Sequence, residues 1–383
     1  MTSVNELINA GNDARANRNP QLALDNYIQA IGLDHKSAAA WNNFGNVVRE
    51  MGEPDVGIPF LKKAIKLDPG METAQFNLAV AYLLDGDYEN GWPQYEKRWD
   101  YEHLKDKLPR FQQPRWTGQD LKDKTIFVLS EQGHGDTIQF VRYCEDLKKK
   151  GARVIFHAEP NVAALLEKYP HIDQFTVPSD PVPEFDYWTP VMSLAGLLGV
   201  TLSNMQSQLR YLLPDGVRVK EWLERLGPKK KMRIGFCWSG RRDTWIHLHK
   251  SVPFPVILDL VKRTPQYEWV NLQIDASEEE SQQLAEAGAL LFPGTITSFA
   301  DTAALMETMD VIVGVDTAVS HLGGALGRPT WLMLNQFGQD WRWLLERGDS
   351  PWYQSVRIFR QPAMDDWASV TKKIEKFLDM FRV

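Results

Sequence analysis

The stretch Asp310–Pro329, DVIVGVDTAVSHLGGALGRP, constrains this chain more than any other. Val311–Val315 is an unbroken apolar run rich in β-branched residues, the pattern of a strand buried on both faces at the centre of a parallel sheet. Asp316 ends the run and is expected to act as the N-cap of a helix that begins at Thr317 or Ala318. Ala318, Gly323, Gly324 and Ala325 let that helix lie close to the sheet, and Gly327 with Pro329 closes it. A helix N-terminus at the carboxyl edge of a parallel sheet presents uncommitted N–H groups and a positive dipole end, which favour a phosphate. The same residues also fit a plain buried strand–helix unit, and His321 fits either a structural histidine or a substrate contact.

Size and charge narrow the classes. A chain of 383 residues suggests about two or three domains. The net charge of -7, with both signs interspersed and no basic stripe, argues against a nucleic-acid partner. Cys144 and Cys237, the only cysteines, are far apart in sequence and flanked by apolar residues, so neither a disulfide framework nor a zinc site is expected. Val191–Leu202 is too short to span a bilayer and no signal peptide is evident, so the expectation is a cytoplasmic protein without a transmembrane segment.

The N-terminal part repeats every 34 residues: Gly11, Gly45 and Ala79 share one position, Tyr27, Leu61 and Tyr95 a second, Ala30, Ala64 and Arg98 a third. In the middle window Trp41, Phe44, Gly45, Gly57, Leu61, Ala64 and Pro69 stand where small residues let paired helices touch and large ones fill the space between pairs. Residues 4 to about 100 resemble tetratricopeptide repeats on this pattern. Such arrays present a groove to a protein or peptide, with Asn12 and Asn46, one repeat apart, as groove positions, or else act as spacers or dimerisation surfaces. Arg98 and Trp99 depart from the pattern, so the last helix is expected to adapt to the segment C-terminal to it.

Residues 101–123 read as a connector, with Trp116 pinning it to the next domain. Strand patterns at Lys124–Ser130, Ala152–Ala158, Gln174–Pro178 and Phe185–Trp188 alternate with helical segments, the first of them a helix running to Lys150. After Gly227–Lys231 the alternation restarts with MRIGFCWSG at Met232–Gly240 and strands at Glu268–Ile274 and Thr330–Asn335, ending in a helix from about Asp365 to Phe381. The fold class is therefore α/β, an all-α repeat region followed by two doubly wound halves with a cleft between them.

Three motifs stand at matching places: EQGHGDTIQF after the first strand of the first half, WSGRRDTWIHLHKSVPF after the first strand of the second, and FADTAALMETMDVIVGVDTAVSHLGGALGRPTW near its end. Together they resemble the family 9 glycosyltransferases, the group of the lipopolysaccharide heptosyltransferases, and especially their tetratricopeptide-fused relatives. The resemblance runs from about Lys124 to the C-terminus, through the tail DWRWLLERGDSPWYQSVRIFRQP. It implies a GT-B fold of two Rossmann-like halves and sugar transfer with inversion from a nucleotide donor, with no cofactor and no obligatory metal. It also implies Asp136 as general base, Lys250 as the basic residue at the donor phosphates, and Asp316, Thr317, Ala318 and Val319 as the turn whose amides hold the diphosphate, with His321 in the same motif. Arg241 and Arg242 share the Lys250 loop and are candidate donor contacts; His134 and Gln132 are candidate acceptor contacts. His134 departs from the family pattern, in which an aliphatic residue is usual.

The expected organisation is repeats at 1–100, connector at 101–123, an acceptor half at 124–228 and a donor half at 229–383. The expected function is an inverting, metal-independent glycosyltransferase with a protein or glycan acceptor. A non-catalytic adaptor, in which the repeats bind a protein and the α/β part is a degenerate scaffold, is the alternative. Asp85-Gly86-Asp87, which matches a metal-binding Asp-X-Asp pattern, is better explained as a turn between repeat helices.

Overall fold

The computed structural model describes residues 2–101, 109–205, 207, 209–240 and 250–381. Six helices open the chain, α1 (Val4–Ala16), α2 (Pro20–Leu33), α3 (Ala38–Glu50), α4 (Pro54–Leu67), α5 (Glu72–Asp85) and α6 (Tyr88–Glu96), forming three tetratricopeptide-type pairs. Local chemistry starts them: Ser3 and Glu6 form a capping box on α1, and Asn19, Ser37 and Asp87 cap α2, α3 and α6. The repeated glycines are required by close approach. A Cβ on Gly11 would lie 2.4 Å from the Tyr27 ring, and one on Gly57 would lie 2.7 Å from the Gly45 carbonyl oxygen. Gly86 sits at φ +84° and closes α5, so the Asp85–Asp87 segment is turn chemistry as its sequence suggests.

This helical unit comprises Met1–Phe111 together with Gly199–Met205 and Gln336–Glu346. The two distant segments are folded into it. Trp92 Nε1 donates to the Val200 carbonyl at 2.7 Å, and Trp341 packs edge-on against Trp92 and Tyr88 with centroids 5.4 and 6.3 Å apart. Gly338 N donates to the Glu50 carbonyl at 2.8 Å. At the end of the third pair α6 tightens into a 3-10 turn (Lys97–Asp100), and buried Arg98 lies 4.5 Å from the centroids of both Tyr95 and Trp99 while pairing with Glu96 at 2.6 Å.

The groove expectation needs a correction. Asn12 is exposed, its Oδ1 accepting from Tyr27 Oη at 2.8 Å and Asn43 Nδ2 at 2.9 Å. Asn46 is buried and engaged by Arg49 at 2.7 Å and Glu50 at 3.2 Å, beside Arg15, whose guanidinium grips Glu50 bidentately at 2.6 and 2.5 Å. Asn46 is thus part of an internal polar network, not of an open groove.

The second unit, Gln112–Leu198, Gln206–Asn335 and Arg347–Val383, holds two all-parallel sheets. The first has β1 (Thr125–Leu129), β2 (Arg153–His157), β3 (Gln174–Thr176) and β4 (Tyr187–Pro190) in the order β3-β2-β1-β4. Trp116, almost fully buried, donates its N–H to the Trp188 carbonyl at 2.8 Å and fastens the connector to β4. The helix expected to reach Lys150 is broken: α7 (His134–Phe140) gives way to a 3-10 turn (Val141–Tyr143) before α8 (Cys144–Lys149). Helices α9 (Pro160–Leu166) and α10 (Ser193–Leu197) follow, and α11 (Gly216–Leu226) comes between the two sheets in the chain, with Trp222 edge-on to Phe292 and Arg218 paired with Asp301.

The second sheet has β5 (Arg233–Cys237), β6 (Glu268–Asn271), β7 (Val311–Val315), β8 (Thr330–Leu334) and β9 (Val356–Arg360) in the order β6-β5-β7-β8-β9. β7 lies between β5 and β8, fully buried, as its apolar run requires. Its helices are α12 (Phe254–Arg263), α13 (Glu278–Glu286), α14 (Phe299–Glu307), α15 (Ala318–Ala325) and α16 (Trp367–Met380). Trp331 and Phe359 on the sheet pack against Phe377 of α16. β9 lies within the tail read from its motif alone; it pairs parallel with β8, with Val356, Ile358 and Phe359 buried. The architecture is that of a GT-B unit preceded by a helical repeat array. Both cysteines are buried. Among the described residues no helix is long and apolar enough to cross a membrane.

Candidate active site

Each sheet reverses its strand order once, and the candidate residues collect on the loops flanking those reversals, where open α/β sheets form crevices. In the first sheet the reversal lies between β1 and β4. Glu131 Oε1, on the loop after β1, accepts from Met192 N, on the loop after β4, at 3.0 Å. Gln132 is next in the chain, with φ +59°, a left-handed conformation uncommon outside glycine. Asp136 occupies the first turn of α7 and its Oδ2 accepts from Gly133 N at 2.7 Å, so its carboxylate closes the start of its own helix while staying half-buried. His134 is exposed, its ring edge-on to Phe299 at 5.2 Å.

In the second sheet the reversal lies between β5 and β7. The chain leaving β5 is pinned at both feet of its loop: Val252 N donates to the Trp238 carbonyl at 2.9 Å, and the hydroxyls of Ser239 and Ser251 lie 3.0 Å apart. Buried Gln273 adds a clamp, its Oε1 accepting from Cys237 Sγ at 3.1 Å, Trp238 N at 3.2 Å and Ser239 N at 3.0 Å. This delivers Lys250 to Asp316, with Nζ 2.5 Å from Oδ2 and both side chains largely buried. Arg241 and Arg242 lie outside the described residues.

Asp316 therefore does not cap the helix after β7. Thr317 is the N-cap residue of α15, with φ -143° and ψ 173°, and its side chain makes no capping hydrogen bond. Asp316 stands one residue too early, and a half-buried ammonium attracts its carboxylate more strongly than a neutral amide would. Thr317, Ala318 and Val319 stay half-exposed. His321 is buried: its Nδ1 lies 2.8 Å from Tyr353 Oη and its Nε2 lies 3.8 Å from Asp316 Oδ1.

The two helix starts meet. A Cβ on Gly135 would lie 2.9 Å from His321 Cδ2 and 3.4 Å from Ala318 Cα, so only glycine lets α7 approach α15 this closely. Asp136 follows Gly135 in the chain, and Ala318 follows the Lys250-paired Asp316 by two positions. Two positive dipole ends, one ammonium and a carboxylate form an arrangement that can hold an anion beside a base. Sequence reasoning missed Gln273 and Tyr353: the first lies in a strand pattern and the second in the family-like tail, and neither pattern shows what the side chain touches. Gly135 stands within a motif, but nothing in the motif reveals the contact that makes it necessary. Among the described residues no cluster of His, Cys, Asp and Glu could hold a metal ion.

Residues 275–333, from the loop after β6 through β8, match Glycosyltransferase family 9 (heptosyltransferase). Over 417 aligned residues the chain is 27% identical to Protein FlbA of Caulobacter vibrioides (strain ATCC 19089 / CIP 103742 / CB 15), covering 92% of this chain and 69% of FlbA. The fold matches the glycosyl transferase family 9 structure from Veillonella parvula DSM 2008, with TM-score 0.50 and 14% identity over 68% of this chain and 92% of that one. It also matches E. coli ADP-heptose lps heptosyltransferase II, with TM-score 0.50 and 13% identity over 67% of this chain and all of that one, a coverage of 100%. The chain thus combines a tetratricopeptide-type array with a heptosyltransferase-like GT-B fold.

Proposed function

We propose that this protein is an inverting glycosyltransferase that moves a sugar from a nucleotide-sugar donor to a protein or glycan acceptor without a metal ion. The donor lies on residues 229–383 and the acceptor on residues 124–228. The observation that carries the reading is the meeting of α7 and α15 at Gly135, which brings the start of the helix that carries Asp136 against the first turn of α15, the turn that follows the Lys250-paired Asp316. Asp136 deprotonates the acceptor hydroxyl as it attacks the anomeric carbon, a role worth roughly 10²- to 10⁴-fold. To reach the acceptor its carboxylate exchanges the Gly133 amide for the substrate hydroxyl. Lys250 and the amides of Ala318 and Val319 receive the departing diphosphate as its charge develops. A lysine offers three N–H donors, so the Asp316 contact is compatible with a phosphate contact.

The test is a thermal-shift and calorimetric screen of nucleoside diphosphates, beginning with ADP because one structural neighbour is named an ADP-heptose heptosyltransferase. Nucleotide sugars are then screened for transfer or slow hydrolysis. Ligand at about 100 times its dissociation constant stabilises the fold by about 2.7 kcal/mol. No stabilisation by any nucleotide would favour the adaptor reading, in which the Asp136–Gly133 bond is only a helix cap.

A further inference from the structure

One buried polar cluster is not absorbed by this mechanism, and it joins the two helices that meet at the site. Tyr353, in the segment between β8 and β9, seats its ring on α15 where a Cβ on Gly324 would lie 2.4 Å from Tyr353 Cγ. From there its hydroxyl reaches back to His321 Nδ1 at 2.8 Å. Behind the same ring, 4.7 Å from its centroid, lies the guanidinium of Arg142, a buried cation on the turn after α7. Arg142 donates to the Gln139 carbonyl at 2.8 Å, the Trp352 carbonyl at 2.8 Å and Tyr211 Oη at 3.0 Å, and Tyr211 Oη donates to the Ile138 carbonyl of α7 at 2.8 Å. Burial alone would lower the Arg142 pKa; the phenols of Tyr211, Tyr353 and Tyr143 turn the shift upward, so the cation stays charged.

We infer that Tyr353 is a positioning residue for the donor phosphate site, acting through His321 on Asp316 and thereby on Lys250. The inference rests on the glycosyltransferase reading and adds a residue to it. The hydrogen-bond logic is directional. When the Tyr353 hydroxyl donates to Nδ1, the imidazole carries its proton on Nε2, the nitrogen that faces the Asp316 carboxylate at 3.8 Å. Asp316 is then held between an N–H edge and the Lys250 ammonium, and Lys250 is fixed where the first turn of α15 opens. Without the hydroxyl the ring is free to exchange tautomers and turn a bare nitrogen toward the carboxylate. The ion pair then loses one of the groups that orient it. The opposite face of the Tyr353 ring contact, through Arg142 and Tyr211, fastens this assembly to the helix that carries Asp136.

A double-mutant cycle tests this. Nucleoside diphosphate affinity is measured by calorimetry for the full-length wild type, Tyr353→Phe, Lys250→Ala and the double variant, using whichever of ADP, GDP, UDP and CDP the wild type binds. Tyr353→Phe keeps the ring stack and is expected to weaken binding about fivefold, within the range of one hydrogen bond. In the Lys250→Ala background the same change should have little further effect, because its route to the ligand is gone. Should Tyr353→Phe fail to fold, His321→Asn, which retains a polar atom near Nδ1 but none near Nε2, takes its place in the cycle. Equal losses in both backgrounds would mean a general structural role and overturn the inference, as would no loss in either. A wild type that binds none of the nucleotides would instead overturn the donor reading, and the inference with it.

Discussion

α7 and α15 begin in corresponding places, each after a strand beside its sheet's reversal of order, and each has an aspartate near its start. Their aspartates do opposite things. Asp136 lies within the first turn and bends back to Gly133 N, closing its helix. Asp316 lies before the N-cap and is taken by Lys250, leaving the start of α15 without a side-chain cap. The difference teaches that position relative to the N-cap by a few residues decides whether a carboxylate serves its helix or leaves it open for an anion. In the first helix the carboxylate accepts from the neutral Gly133 amide, a contact that an acceptor hydroxyl can replace. In the second, the carboxylate is held in place by charge, and the open amides are the functional part.

The largest effect expected from breaking this contrast is on turnover. Asp136→Asn keeps an oxygen that can accept from Gly133 N but removes the base, so turnover should fall roughly 10²- to 10⁴-fold with donor affinity and melting temperature nearly unchanged. Pre-steady-state transfer assays beside a melting curve separate the two; wild-type turnover would remove Asp136 from the mechanism. Lys250→Met comes next. It strands the Asp316 carboxylate in a buried site and should destabilise the second unit by about 3 kcal/mol, measured by denaturant unfolding. Adding Asp316→Asn should restore most of that stability but not diphosphate binding, which makes the pair's functional share visible apart from its structural one.

Thr317→Asp would convert the second helix toward the first. A carboxylate at the N-cap should stabilise α15 by roughly 0.5–1 kcal/mol and at the same time weaken nucleoside diphosphate binding, since it competes for the amides and repels the ligand. Stabilisation with undiminished binding would place the donor elsewhere. Gly135→Ala is the subtlest. Helix propensity favours alanine by about 1 kcal/mol, but its Cβ would meet His321 and Ala318, so we expect a net loss of stability. A net gain would show that the two helix starts are less tightly apposed than the contact distances imply.

Much of this was legible in the chain itself. The apolar run Val311–Val315 demanded a doubly buried strand, the small residues after it a helix close to a sheet, and the 34-residue spacing a stack of helix pairs. Those signals are local or periodic, and local chemistry, such as the Ser3–Glu6 capping box or the turn at Gly86, acts before any distant contact forms. Asp136 and Lys250 were picked out by the family resemblance of their motifs, and Asp316 by its place at the end of the apolar run as well.

Only the tertiary structure decided what those residues touch. Asp316 was as good an N-cap by sequence as any aspartate before a helix, until packing brought Lys250 to it from 66 positions away. Asn46 looked like an open groove position until Arg15, Arg49 and Glu50 enclosed it. What Tyr353, Gln273 and Gly135 touch left no trace in spacing or periodicity, because each matters through a partner far along the chain. Sequence patterns report which surface a residue must bury. The choice of electrostatic partner depends on which charges and donors the folded chain leaves within reach, and in a buried site that choice outweighs local preference.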